Sequence, residues 1–269
     1  LLKSMSASQL EQIEIMTNPP AKYDAAGNSG VINIKTKKNK QFGYNGSFTT
    51  GYTQGRYARF NDNLNFNYRN GKFNVFTSLN YNRNHRGEDL DIVRNFRDKT
   101  TKDIKSIFDQ SSAMENQSHY YGGKIGLDYS VSKKTTIGMV VNGFYKPGTW
   151  SSQTHTYLYD PNYNLEKQTI ADVRNDEKWK NFSANLNLRT QLDSAGQEIT
   201  TDLDYIQYNA SSSQPLVTTD YDPFNHQLAP SETLLGTLPT KIKIYSGKID
   251  YTLPLKKGAK FEAGIKSSY

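Results

Sequence analysis

The sequence predicts a mainly β fold, an antiparallel meander that forms part of a transmembrane β-barrel. Three observations predict it. Nine segments alternate apolar and polar residues with period two, and their connections are alternately short and long. No run of 18 or more apolar residues exists in the 269-residue chain, which excludes a transmembrane helix. Barrel strands escape that test, because an apolar face and a wet face average out as polar.

The chain is organised around Gln12 to Lys38, QIEIMTNPPAKYDAAGNSGVINIKTKK. Two β-type runs, Ile13-Glu14-Ile15 and Val31-Ile32-Asn33-Ile34, flank Pro19-Pro20 and a Gly27-x-x-Gly30 step. Proline gives no ladder donor and glycine permits positive φ, so a compact turn is expected between the runs. The glycines precede a strand instead of opening a helix, which argues against nucleotide binding. No helix-period stretch follows Lys38, and alternating strands take over.

This run resembles the last segment of the plug domain of TonB-dependent outer-membrane receptors, in which "IE-I-x-x-P-x-A-x-Y" precedes "G-x-x-G-V-I-N-I-x-T-K" and the first barrel strand. With Asn-Pro and Lys-Tyr-Asp, it is most similar to the Bacteroidetes-type outer-membrane β-barrel proteins. The close match covers about 30 residues, a span that several ordered residue types define. The resemblance implies that residues 1–40 are the C-terminal part of an α/β plug domain. Residues 41–269 would then be the first nine or so strands of a barrel that in this family has about 22. A chain that starts at Leu1 without a signal peptide is expected to be an internal fragment.

The candidate strands span 41–53, 58–70, 72–84, 118–130, 135–148, 179–191, 197–211, 240–253 and 260–269. In the first, Phe42, Tyr44, Phe48 and Tyr52 share a face opposite Gly43, Asn45, Ser47 and Thr49. The second sets Leu64, Phe66 and Tyr68 against Asn63, Asn65 and Asn67. Phe73, Val75, Leu79 and Tyr81 oppose Asn74, Ser78, Asn80 and Asn82 in the third. Further on, Tyr121, Ile125, Leu127 and Tyr129 oppose Lys124 and Asp128, and Phe182, Ala184, Leu186 and Leu188 oppose Ser183, Asn185, Asn187 and Arg189.

Short turns are expected at Asn70-Gly71 (type I′), Ser132 to Lys134, Asp193 to Gly196 and Lys256 to Gly258. Long connections at 85–117, 149–178 and 212–239 fall at the other end, where only 53–58 is short. Short turns on one rim and long loops on the other is the layout of an outer-membrane barrel, turns periplasmic and loops extracellular. A soluble sandwich would not put every long loop at one end.

Charge follows the same division. The protein carries 33 Lys/Arg against 26 Asp/Glu, net +7. The three long connections hold 9 Lys/Arg and 15 Asp/Glu, net −6, which leaves +13 elsewhere. Lys37, Lys38, Lys40, Lys72, Lys133, Lys134, Lys256, Lys257 and Lys260 gather at the short-turn rim, a solvated edge near anionic headgroups. They do not form a groove interleaved with aromatics, so no nucleic-acid partner is expected. Tyr52, Tyr57, Phe60, Tyr81, Tyr120, Tyr121, Tyr145, Trp150, Trp179 and Phe182 toward the long loops, and Tyr68, Phe73, Tyr129, Tyr251 and Phe261 toward the short turns, fit two interfacial girdles.

Catalytic and metal chemistry have no visible seat. There is no cysteine, and His85, His119, His155 and His226 are far apart on or beside the long loops. Glu88, Asp89 and Asp91 have Arg86, Arg94 and Arg97 as neighbours, which reads as a neutralised loop and not a Ca²⁺ site. No enzyme activity, cofactor or metal is therefore expected. Tyr159-Asp160-Pro161-Asn162-Tyr163 is echoed 62 residues on by Tyr221-Asp222-Pro223-Phe224-Asn225. Asp-Pro is turn chemistry, and the functional reading is a pair of rigid loop tips. The ligand-contact candidates are Tyr159, Asp160, Tyr163, Tyr221, Asp222 and Phe224.

The resemblance implies TonB-dependent import of an unidentified substrate across the outer membrane of a Gram-negative bacterium, with plug gating and capture by the long loops. Its expected partners are TonB through a region outside this chain, outer-membrane lipid, an extracellular substrate and a surface lipoprotein over the mouth. The alternatives are a non-transporting barrel used in adhesion or assembly, and a soluble carbohydrate-binding β-module.

Overall fold

The structure, a computed structural model, describes residues 10–17, 30–36, 42–255 and 259–269. Strands β1 (Leu10–Met16) and β2 (Val31–Thr36) pair antiparallel as a separate two-stranded sheet. Across it Glu14 accepts from Asn33 Nδ2 at 2.7 Å and pairs with Lys35. Gly30 enters β2 at φ +69, and a β-carbon there would meet the Met16 carbonyl, so glycine is required. The segment's described residues contain no helix. Pro19-Pro20, Gly27, Lys37, Lys38, Lys40 and the 256–258 turn lie outside the described residues.

The second sheet contains β3 (Gly43–Gln54), β4 (Ala58–Asn70), β5 (Phe73–Arg97), β6 (Ile104–Ser130), β7 (Thr135–Tyr159) and β8 (Leu165–Gln191). It continues with β9 (Glu198–Tyr221), β10 (Glu232–Thr237), β11 (Thr240–Pro254) and β12 (Lys260–Ser268). Neighbours run β3-β4-β5-β6-β7-β8-β9-β11-β12, all antiparallel, with β10 also on β9. The fold is thus the predicted antiparallel meander, and each of the nine predicted strands is present. β10 and β11 are one strand in effect. Both pair with β9 in a single register, and Leu238 N bonds to Ser212 O at 3.0 Å between them. Pro239 sits beside that bond at a position where an N–H would point away from β9, so it removes no bond of this ladder.

The long connections are corrected. Residues 85–97, 104–117, 149–159 and 165–178 are not loops but the outer halves of β5 to β8, and 212–221 with β10 does the same for the third. They stay paired to their ends, so three arms form one continuous sheet. One short turn is corrected too. Its centre is Gly71-Lys72, with positive φ at Gly71 only, which is the pattern of type II′. At the next turn Ser132 Oγ accepts from Lys134 N and Thr135 N, both at 3.1 Å.

The two faces differ in character, with Asp62 and Thr50 among the apolar side chains of one and Phe76 and Val140 among the polar side chains of the other. One pairing row runs Tyr44, Tyr68, Val75, Leu127, Met139, Leu186, Leu203, and most of these apolar side chains are exposed. The adjacent row, one residue along, carries Asn45, Asn67, Asn185, Asp204 and Ser246 on the opposite face. There the polar groups satisfy one another: Asn67 Nδ2 donates to Asn74 at 2.9 Å, Asn74 to Asp128 at 3.1 Å, and Asn185 to Asp204 at 2.7 Å.

Register fixes the tilt. Val93, Tyr157 and Tyr221 share one pairing row through Asp109 and Gln168, and are 64 residues apart. The arm tips at Asp98, Asp160 and Asp222 are 62 apart. Features therefore slip two residues against the pairing rows for every two strands crossed. With a rise near 3.4 Å per residue and strands near 4.8 Å apart, that stagger levels the tips when strands tilt by about 35°. Such a tilt is what closed barrels use.

The aromatic rings slip in step. Contacts join Tyr52 to Phe60 (5.3 Å), Tyr81 to Tyr121 (5.3 Å), Tyr121 to Tyr145 (6.5 Å), Phe182 to Tyr205 (6.3 Å) and Tyr205 to Tyr245 (5.0 Å). Phe182 pairs with Gly143, one row below Tyr145 on that face, and Tyr205 with Ala184, a row lower again. At the tilt above, this line is level, and a second line through Phe73 and Tyr129 (4.9 Å) lies eight residues below Tyr81 and Tyr121. The apolar band between the lines is about 22 Å tall, close to the ~25 Å of an outer-membrane barrel.

Candidate functional site

The arms carry the candidate residues. Sixteen residues separate Tyr81 from Arg97 and Tyr205 from Tyr221, so at this tilt the arms stand about 45 Å beyond the upper aromatic line. Each ends in an aspartate-headed turn. Asp160 Oδ1 accepts from Asn162 N and Asn164 N at 2.8 Å, and Oδ2 from Asn164 Nδ2 at 2.8 Å. Asp222 Oδ1 accepts from Phe224 N at 2.9 Å and His226 N at 2.8 Å, and Oδ2 lies 3.1 Å from His226 Nδ1. Tyr163 and Asn225 take positive φ at equivalent positions.

The third tip was missed in the sequence. Asp98 accepts from Thr100 N at 2.7 Å and Thr101 N at 3.1 Å and pairs with Lys105 at 2.7 Å, while Lys102 takes positive φ. Its signal was the 62-residue spacing; Lys99 stands where the other tips have proline. All three carboxyls are held below the ordinary aspartate value. The chief cause is the Lys105 bond at Asp98, the Asn164 side chain at Asp160 and the His226 amide at Asp222.

The six candidates thus divide. Asp160 and Asp222 have carboxylates engaged by their own turns. Tyr163 and Phe224 are 68% and 80% exposed, free to touch a ligand. Tyr159 is half-buried between Tyr157 and Tyr163, and burial raises its phenol. Tyr221 is paired across the sheet with Gln168. Because the arms are one wall, the tips at 160 and 222 stand side by side and do not fold over toward each other.

Nor do the other polar candidates assemble. His85 stacks on Tyr57 at 3.6 Å and bonds Glu115 at 2.6 Å; His119 bonds Tyr81 at 3.1 Å. His85, His119 and His155 lie in strands, not loops. Glu88 points to the face opposite Asp89 and Asp91, and Asp89 pairs with Arg56 at 3.1 Å. Among the described residues no group of three or more His, Asp or Glu is placed to hold a metal.

A recess of about 290 Å³ at the base of the arms is lined by Arg59, Asn61, Asn82, Asn84 and Arg86 on the polar face. Neither Arg59 nor Arg86 has a carboxylate partner among the described residues. Two guanidinium groups and three carboxamides suit a polar ligand with anionic or hydroxyl groups. Sequence reading took Arg86 as a neutraliser of the acids at 88–91 and passed over Arg59, although Arg59 continues the phase of Asn61 and Asn63. Higher on that face Gln110, Ser112, Ser152 and Thr154 form a hydroxyl cluster with bonds of 3.0 to 3.3 Å.

The model of a family described as an outer membrane protein beta-barrel family matches residues 190–269, the end of β8 through β12. No curated protein matches the chain. The family match and the banded, staggered sheet together support an outer-membrane β-barrel and an outer-membrane location. In that setting the short turns face the periplasm and the arms face outward.

Proposed function

We propose that the chain is part of a TonB-dependent import receptor, in which β1 and β2 belong to the plug and the arms receive the ligand. The observation that carries this reading is the separate β1–β2 sheet, formed by the run that resembles the plug's last segment and set directly before the barrel sheet. The Arg59–Arg86 recess and the exposed Tyr163 and Phe224 supply polar and aromatic contacts on the outward side. β3 and β12 are the edges of the sheet, and a bilayer does not accept unpaired edges, so the barrel is completed by further strands.

The test uses the polypeptide that bears this chain, isolated from outer membranes with antiserum to residues 42–255. A heat-modifiable band far above 30.5 kDa that binds the periplasmic domain of TonB is the expected result. A barrel that does not bind TonB would leave adhesion or assembly as its role.

A further inference from the structure

We infer that the apolar face carries, directly above its upper aromatic line, a cationic belt that binds phosphorylated headgroups of the outer leaflet. The belt is built by the stagger. On four strands the residue two places beyond a girdle ring, toward the arms and on the same face, is basic. Arg83 follows Tyr81, His119 follows Tyr121, Lys180 follows Phe182 and Lys243 follows Tyr245. Lys178 and Lys241 stand one step further on. At the tilt derived above, these six positions fall within one headgroup layer.

On this face Asp62, which accepts from Thr50 Oγ1 at 2.6 Å, lies directly across from Tyr81 at the ring line, and among the described residues no acid stands above it in the cation layer. Moving outward on this face, the first carboxylates are Glu115 and Asp176, and among the described residues none lies between them and the rings. Arg83, Lys180, Lys241 and Lys243 have no salt-bridge partner among the described residues, Lys178 stands beside Asp176 and helps hold its carboxyl low, and Lys146 on the opposite face pairs with Glu177. Arg83 keeps a buried Nε without an acceptor. Lys178, Lys180, Lys241 and Lys243 are exposed, and Lys180 reaches across the Tyr145 ring at 5.3 Å. A row of unneutralised cations beside interfacial rings is complementary to lipid phosphate, which sits at this depth. The opposite face at the same level is mixed in charge and faces the lumen, so the asymmetry points to lipid.

This rests on the membrane orientation of the sheet and is independent of transport. The test compares the full polypeptide with a triple variant, Arg83→Gln/Lys180→Gln/Lys243→Gln, and with a charge-matched control, Lys99→Gln/Lys102→Gln/Lys124→Gln, on an arm tip and the polar face. Phosphate co-purifying with folded, heat-modifiable protein should fall about threefold or more in the belt variant and stay unchanged in the control. In nanodiscs, phosphatidylglycerol should raise the unfolding temperature of wild type over phosphatidylcholine, with the gain reduced only in the belt variant. Equal lipid phosphate in all three proteins would overturn the inference, as would an equal gain from inorganic phosphate alone. If the triple variant does not insert, Lys180→Gln alone should show the same direction of change.

Discussion

The tip of the Phe76 ring reaches over Gly126, its direct partner across β5 and β6, into the space a β-carbon would occupy. Both are on the polar face, so the glycine makes room for an apolar ring among asparagines. Gly126→Ala should cost about 1–3 kcal/mol by overpacking. Truncating the ring as well, in Phe76→Ala/Gly126→Ala, should recover part of that loss in a double-mutant cycle of urea unfolding. Strict additivity would mean the contact does not matter.

Ile125 faces lipid midway between the aromatic lines, and Ser78 faces the lumen at nearly the same depth. Ile125→Arg should lose about 2–4 kcal/mol in bilayer unfolding, as charged residues do at the lipid midplane of barrels. Ser78→Asn should change little. A large effect at Ser78 with none at Ile125 would invert the assigned faces.

The tip aspartates make a pH prediction. Their carboxyls titrate lower in the folded protein than the ordinary aspartate value of about 3.9. Their stabilisation of the turns is therefore complete above that value and is lost as pH falls through the lower folded pKa. NMR amide shifts of Asn162, Asn164, Phe224 and His226 should titrate with midpoints below 3.9. Midpoints at or above it would show that the turn bonds do not form.

Pro239 interrupts the pairing of β10 and β11 with β9, which spans Glu232 to Thr252, at a position whose N–H would point away from β9, because the neighbouring Leu238 N bonds Ser212. Pro239→Thr therefore adds no ladder bond and forfeits about 0.4–1 kcal/mol of unfolded-state restriction. Stability should fall by about that much, with Leu238 still protected and the new amide at position 239 exchanging freely. Protection at position 239 would mean that its N–H turns toward β9.

What the sequence revealed was set by its solvent. Inside the bilayer, Leu127 and Met139 must face lipid while Asp128 and Asn142 face water, so period two is written plainly. Beyond the rings both faces are wet, and Arg86-Gly87-Glu88-Asp89 needs no alternation although it is strand. For that reason the arms read as loops. The Asp160 and Asp222 turns were legible from Asp-Pro, but Asp98 was hidden because its turn uses Thr100, Thr101 and Lys105 in place of proline. Arg59 and Arg86 could not be brought together before the β4–β5 register was known.

The two spacings, 62 along the chain and 64 across the ladder, act as a vernier. An insertion of one residue on each side of an arm would turn every side chain beyond it to the other face. Two on each side would keep the faces and raise that tip by two rungs above its neighbours. Because both faces of the arms are wet, either change leaves the membrane band below undisturbed, a rim of uneven height can arise, and only even increments keep the tip residues on their present faces.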